Sequence, residues 1–254
     1  MSLDPDLKPL AEIARQMAVE WELELGPPFS MSRFSYAAPA GDNAFLKVLP
    51  LDDDESDHDA DALAMWAGDG AVRLLRHDRE RRVFLMERAL PGDDISKLPE
   101  DEATAIAVAV GLRLWKPAAE PFRWIGDCVP RWLDSAEPSE LLPLARDLYT
   151  SFAPGRSTLV HGDFHHHNIL DGGRRGYLAI DSKAMLGEPE FEVFTFLHNP
   201  LPYRMKPDVT ERRIAAFVAA GLDEERIRQW AVIRGACLLG ADAAEVPVLR
   251  ALLD

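Results

Sequence analysis

Little in this chain can cross-link, span a bilayer or grip a polyanion. Its 254 residues include two cysteines, Cys128 and Cys237, too few for a disulfide framework, so both are expected to be buried thiols in a reducing cytoplasm. No apolar run is long enough to span a bilayer, and no basic-then-apolar leader opens the sequence, so no membrane partner is expected. Basic residues are scarce. The 28 Lys and Arg against 43 Asp and Glu leave a formal charge of −15 at pH 7, which argues against a nucleic-acid partner. The same field would steer a small cation to the protein, although acidity for solubility alone is common. No internal repeat or low-complexity tract is present, and 47% hydrophobic residues suffice for one large or two small domains.

What is present is concentrated between residues 159 and 181. Leu159-Val160-His161-Gly162-Asp163-Phe164-His165-His166-His167-Asn168 reads as a short apolar strand running into H-x-D-x-x-x-x-N. A second apolar strand, Leu178-Ala179-Ile180, ends in Asp181. Phosphoryl-transfer enzymes of the kinase type use this layout, with one carboxylate facing the attacking hydroxyl and an amide oxygen and second carboxylate holding Mg2+. Asp163 is therefore the candidate base. Asn168 and Asp181 are the candidate metal ligands, since their hard oxygens suit Mg2+ better than zinc or copper.

His161 is expected to brace the loop by hydrogen bonding to backbone, and Gly162 to allow a tight turn where protein kinases carry Arg. The missing Arg and the short spacing from Asn168 to Asp181 point to a small-molecule kinase. Taken singly, each residue has a plainer explanation: H-G-D occurs at turns, Asn168 could cap a bend and Asp181 could end a strand. Order and strand context carry the motif. The run His165-His166-His167 is not read as a zinc site, because neighbours in an extended loop point different ways.

These segments resemble the aminoglycoside phosphotransferase family, whose loop reads H-G-D-x-x-x-x-N and whose metal segment begins I-D. More narrowly, Ile180-Asp181-Ser182-Lys183 and Gly187-Glu188-Pro189 resemble the I-D-P-K and G-[DE]-P of the streptomycin 6-kinase and hydroxyurea-resistance kinase branch. Leu63-Ala64-Met65-Trp66 and the stretch from Gly68 to Leu75 are similar to that branch too.

The resemblance implies a two-lobed, protein-kinase-like α+β fold. Residues 1–90 would form a small antiparallel-sheet, nucleotide-binding lobe, and residues 91–254 a larger, mainly helical lobe for catalysis and substrate. It implies ATP and Mg2+ as cofactors, Lys47 on the nucleotide phosphates, and Glu192 as the anchor of the catalytic loop. Glu192 also suits the start of a helix by charge alone.

Two departures stand out. Asp59, one methylene shorter, stands where the family has the Glu that pairs with the lysine, so Asp59 or Glu55 is the expected partner of Lys47. Lys47 has an alternative of its own, an edge-strand lysine reaching to water. The nucleotide-covering segment Ser30-Met31-Ser32-Arg33-Phe34-Ser35 has no glycine, which leaves Ser32 and Ser30 as candidate phosphate contacts or as plain turn serines. Glu87 and Ala89 are expected to touch adenine through backbone groups.

Apolar spacing over residues 7–21 predicts a helix with Pro5 near its start. Strands are expected at Trp21 to Leu25, Phe34 to Ala38, Ala44 to Leu49, Ala71 to Leu75 and Val83 to Met86. Helices are expected from Asp59 to Trp66, over 101–116 and 138–152, and from about Asp208 onward. The function expected is transfer of the ATP γ-phosphate to a hydroxyl of a small cationic acceptor, an aminocyclitol such as streptomycin, as in antibiotic resistance. The alternatives are a kinase for an endogenous amino alcohol or sugar amine, and a pseudokinase that binds without turnover. Glu188, Glu190, Asp208 and Asp223-Glu224-Glu225 are candidate acids for the acceptor. Trp132 and Trp230 are candidate stacking faces, or core residues.

Overall fold

The computed structural model describes residues 7–29, 35–51, 57–200, 205–239 and 244–253. The chain begins with α1 (Lys8–Glu20), β1 (Tyr36–Ala40), β2 (Ala44–Val48), α2 (Asp59–Trp66), β3 (Leu74–Asp78) and β4 (Val83–Glu87). It continues with α3 (Glu100–Leu114), β5 (Lys116–Pro117), β6 (Arg123–Trp124), α4 (Ile125–Ser135), α5 (Leu141–Thr150) and β7 (Thr158–Val160). Then come β8 (Ile169–Asp171), β9 (Tyr177–Ala179), β10 (Met185–Gly187), α6 (Glu190–His198), α7 (Pro207–Ala219), α8 (Glu224–Leu238) and α9 (Val246–Arg250). They group into two compact units, Met1–Asp93 with Leu170–Lys183, and Asp94–Ile169 with Ala184–Asp254.

In the first unit β1, β2, β4 and β3 lie side by side in that order, with antiparallel neighbours. Leu10, Ala11, Ala14 and Met17 recur three or four apart on α1, so one helix face buries them against Tyr36, Ala38, Leu46 and Val48 of the sheet. Each large side chain so buried contributes about 1.5–3 kcal/mol. A proline does sit in the first turn of α1, but it is Pro9; Pro5 lies outside the described residues. The strand expected from Trp21 does not form. Trp21 donates its N–H to the Met17 carbonyl at 2.8 Å and ends the helix, and Leu25 makes only an isolated bridge to Ala40.

The first unit also holds a segment from much later in the chain, Leu170–Lys183. The reason lies in the backbone. Ala179 donates to the Gly70 carbonyl at 2.8 Å, and Val72 donates to Ala179 at 3.1 Å. Asp171 donates to Asp93 at 2.8 Å, and Gly92 donates back to Asp171 at 2.9 Å. These four bonds fasten the β8–β9 hairpin to the first unit.

In the second unit β5, β7, β10 and β6 form a small sheet among seven helices of the described residues. Ile227, Trp230, Ala231 and Ile233 of α8 are fully buried, as are Phe194, Phe196 and Leu197 of α6. Helix α4, absent from the sequence-based expectation, carries Pro130 in its interior. A proline there has no N–H for the carbonyl four residues back. That carbonyl belongs to Gly126, and the Tyr149 hydroxyl donates to it instead at 3.3 Å. Strand β7 ends at Val160, and Met185 of β10 pairs with Val160. The two strands run antiparallel, and it is the Glu192 carboxylate of α6 that reaches back to the His161 and Gly162 N–H groups beyond the end of β7. Among the described residues no helix is long and apolar enough to cross a membrane.

Candidate active site

In the second unit the loop after β7 hangs on one carboxylate. Glu192 is 1% exposed and accepts the N–H of His161 at 2.9 Å, that of Gly162 at 2.5 Å and the Trp115 indole N–H at 3.1 Å. Gly162 has φ of +84°, a conformation glycine adopts without strain, and it turns the chain so that two successive N–H groups face Glu192. Desolvation pushes the Glu192 carboxyl up to about 7, against the lowering pull of these N–H groups. The His161 ring is fully buried, and its Nδ1 accepts the Asp163 N–H at 3.3 Å.

Asp163 and Asn168 meet at the other end of the loop. The Asn168 amide donates to the Asp163 backbone carbonyl at 2.9 Å. Fixing the nitrogen fixes the amide oxygen too, and among the described residues no hydrogen bond uses that oxygen. The Asp163 carboxylate remains about one-third exposed, with His165 Nε2 3.7 Å from Oδ1. The three histidines diverge. His166 is buried and stacks on Phe196 at 4.1 Å, where burial and the neighbouring Arg213 push its pKa down to about 3. His167 turns to Asp94 at 2.9 Å. Among the described residues no cluster of three or more His, Cys, Asp or Glu could hold a metal.

The first unit carries a second constellation. Lys47 lies on β2, which has neighbours on both sides, so it is not an edge-strand lysine. It is 6% exposed, donates to Asp59 at 3.0 Å and also pairs with Asp181. Burial alone would lower the ammonium's pKa, but the two carboxylates outweigh it and hold it above its ordinary value. Burial pushes the Asp59 carboxyl up, against the pull of Lys47 and of the Ser182 hydroxyl that donates to it. Asp59 opens α2 and is 2% exposed; Glu55 lies outside the described residues, as do Ser30 and Ser32.

Asp181 follows β9 with φ of +59°, a left-handed conformation that Asp tolerates better than most residues and that recurs at functional sites. Its side chain is 56% exposed. Each unit thus supplies hard oxygen of the kind Mg2+ takes: in the second the Asn168 amide oxygen, which accepts no hydrogen bond among the described residues, and in the first the half-exposed Asp181 carboxylate, which pairs with Lys47.

At the end of β4 the Arg88 N–H is committed to the Asn43 carbonyl at 2.9 Å. The Glu87 N–H faces the other way, to the Arg73 carbonyl at 2.8 Å, and Ala89 lies past the end of the strand. The Glu87 carboxylate is tied to Arg175. Among the acids considered for an acceptor, Glu188 is committed to Arg226 at 2.8 Å and to the Trp230 indole, and Asp208 pairs with Arg212 at 3.2 Å. Glu190 accepts the Asp223 N–H at 3.1 Å. Trp230 is fully buried and packs edge-on against Phe191, which makes it a core residue. Trp115, Ser182 and Arg175 carry no signal in the sequence. Each acts across more than 75 residues, where no local pattern announces it.

Known proteins similar to this chain in sequence or in fold include several kinases. The profile of the family described as aminoglycoside/hydroxyurea antibiotic resistance kinase matches residues 29–246. A streptomycin 3''-kinase of Klebsiella pneumoniae is 32% identical over 210 residues, covering 74% of this chain and 76% of its own. A hydroxyurea phosphotransferase of Kitasatospora aureofaciens is 32% identical over 247 residues, covering 89% of this chain and 72% of its own. Among solved structures, a choline kinase from Streptococcus pneumoniae superposes with a TM-score of 0.65 at 11% identity, covering 97% of this chain and 98% of its own. An aminoglycoside phosphotransferase solved with streptomycin and ATP gives 0.58 at 15% identity, covering 100% and 97%. These likenesses establish a protein-kinase-like fold.

Proposed function

Because the chain belongs to the aminoglycoside/hydroxyurea antibiotic resistance kinase family, we propose that it moves the γ-phosphate of ATP to a hydroxyl of a streptomycin-like aminocyclitol. That it is an ATP-dependent phosphotransferase acting on an alcohol group follows from the family. The acceptor and the residue roles are the proposal. The observation that carries it is the Glu192 clamp, which holds the loop from His161 to Asn168 from one side while the Asn168 amide ties off the other. A loop fixed this way presents its side chains with little reorganisation during reaction.

In this mechanism the Asp163 carboxylate accepts a hydrogen bond from the acceptor hydroxyl. As that oxygen bonds the γ-phosphorus, the bond from phosphorus to the β,γ-bridging oxygen breaks, the proton passes to Asp163 and ADP leaves. Asn168 Oδ1 and the Asp181 carboxylate are the ligands assigned to Mg2+, which when bound neutralises charge on the phosphate oxygens. Lys47 touches the nucleotide phosphates, and Asp59 and Ser182 keep its ammonium in place. The unit holding Lys47 serves the nucleotide, and the unit holding Asp163 serves the acceptor.

The net charge of −15 and the aminocyclitol kinase among the relatives support a cationic acceptor. A hydroxyurea-like acceptor is the second reading, favoured by the hydroxyurea phosphotransferase that matches 89% of this chain. An acceptor screen with ATP separates them. Streptomycin should give a phosphorylated product by mass spectrometry with the highest kcat/KM. Turnover of hydroxyurea without streptomycin would transfer the assignment to the second reading. Turnover of only a neutral metabolite would leave the kinase class alone standing.

A further inference from the structure

The end of β4 closes differently from an ordinary ladder. Glu87 donates its N–H to the Arg73 carbonyl at 2.8 Å. In an antiparallel pair the return bond runs from the Arg73 N–H to the Glu87 carbonyl. Here the Arg73 N–H donates to the Glu87 side-chain carboxylate instead, at 3.1 Å. Arg175, in the turn between β8 and β9, pairs with that carboxylate through one guanidinium nitrogen and donates to the Gly68 carbonyl through another. Gly68 makes room for this. It has φ of +86°, and a Cβ there would lie 2.7 Å from the Arg73 side chain and 2.9 Å from the Arg175 guanidinium.

The consequence is that the carboxylate stands in for the carbonyl. Among the described residues the Glu87 carbonyl accepts no ladder bond, which leaves an acceptor at the half-exposed end of an otherwise buried strand. We propose that Arg175, acting through the Glu87 carboxylate, is a positioning residue that sets the nucleotide base, by reserving the Glu87 carbonyl for the 6-amino group of adenine. This rests on the ATP reading above and deepens it. Adenine offers an N–H donor at that position, whereas guanine and hypoxanthine offer a carbonyl oxygen. Two acceptors facing each other leave both unsatisfied, so a site built around this carbonyl rejects 6-oxopurines by roughly ten- to a hundredfold. Without Arg175 the Glu87 carboxylate is released, the Arg73 N–H closes on the carbonyl, and the base must compete with it.

Calorimetric titration of the whole protein with the Mg2+ complexes of ATP, GTP and inosine triphosphate tests this without any acceptor. Inosine triphosphate keeps the sugar, the phosphates and the purine frame of ATP and changes only the hydrogen-bonding pattern at the 6-position edge. Wild type should bind ATP roughly ten- to a hundredfold tighter than either 6-oxopurine. Arg175→Met should weaken ATP several-fold and leave inosine triphosphate nearly unchanged, so that the ratio shrinks. Arg175→Lys, which keeps the charge beside Glu87, should restore most of the ratio. Glu87→Ala carries the same expectation as Arg175→Met, should that variant melt early. Equal affinity of wild type for ATP and inosine triphosphate would overturn the inference while leaving the kinase reading intact. So would an unchanged ratio in folded Arg175→Met. Failure of every triphosphate to bind would contradict the ATP site itself, and the inference with it.

Discussion

The Lys47 ammonium lies 3.0 Å from the Asp59 carboxylate, and both residues, one on a central strand and one at a helix start, are almost wholly shielded from water. An acid one methylene shorter than the glutamate of related kinases therefore closes the pair. The Ser182 hydroxyl holds its second oxygen, and Asp181 takes a further proton of the ammonium. Removing one partner of a buried pair costs about 3–5 kcal/mol, because the other is left charged and dry.

Asp59→Leu should lower the free energy of unfolding by about 2–3 kcal/mol, somewhat below that range because Asp181 remains beside Lys47. It should also raise the KM for ATP. Urea denaturation reads the first effect and steady-state kinetics the second. A stability loss under about 1 kcal/mol would show that Asp59 does not hold the ammonium.

Glu192 makes stability depend on pH. Its carboxyl titrates near 7 when folded against 4.5 as the ordinary value. Below about 4.5 both states keep the proton and the group contributes no difference. Between about 4.5 and 7 the unfolded chain releases a proton that the folded protein retains, so stability falls as pH rises. Above about 7 the loss is complete, on the order of 3 kcal/mol. Denaturation of wild type and Glu192→Gln, compared at about pH 5 and about pH 8, should show wild type losing stability relative to the variant. A constant difference would mean that Glu192 is ionised throughout.

The metal assignment predicts that ATP binds more tightly with Mg2+ than with EDTA, and that Asp181→Asn removes most of the difference. Calorimetry giving equal affinity in wild type under both conditions would reject Asn168 and Asp181 as ligands.

Charge steering predicts a salt effect on the acceptor alone. If the acceptor is a guanidinium-bearing aminocyclitol, its KM should rise with salt, because exposed attraction is screened beyond about 10 Å at 0.1 M. The KM of a neutral acceptor such as hydroxyurea should stay flat. A salt-independent KM for streptomycin would rule out steering by the acidic field.

What the sequence makes legible is local. His161, Gly162, Asp163 and Asn168 fall within eight residues, so their loop is recognisable from the order of its residues alone. Helix α2 matches its expected bounds, with Asp59 and Asp61 in the first turn where carboxylates suit the helix dipole. The β8–β9 hairpin is harder to place: its strands are visible, but its partners Gly70, Gly92 and Asp93 lie some 80–110 residues earlier. Helix α4 is hidden by Pro130, a helix breaker tolerated only because Tyr149 covers the carbonyl it strands. The expected strand from Trp21 fails because that tryptophan still bonds back to Met17, so the helix outlasts the change in pattern. The same holds for the supports of the site. Trp115 reaches Glu192 and Ser182 reaches Asp59 through tertiary packing, which leaves no periodic trace.

The proposed chemistry turns on Asp163, on a loop held by Glu192, accepting the proton of the attacking hydroxyl. Quenched-flow measurement of phosphoryl transfer from ATP to streptomycin, in wild type and in Asp163→Asn, reads that step itself. Wild type should yield phosphorylated streptomycin, and the variant should be slower by on the order of a hundredfold or more, with ATP affinity similar in both. Near-wild-type transfer by Asp163→Asn would contradict this role for the carboxylate.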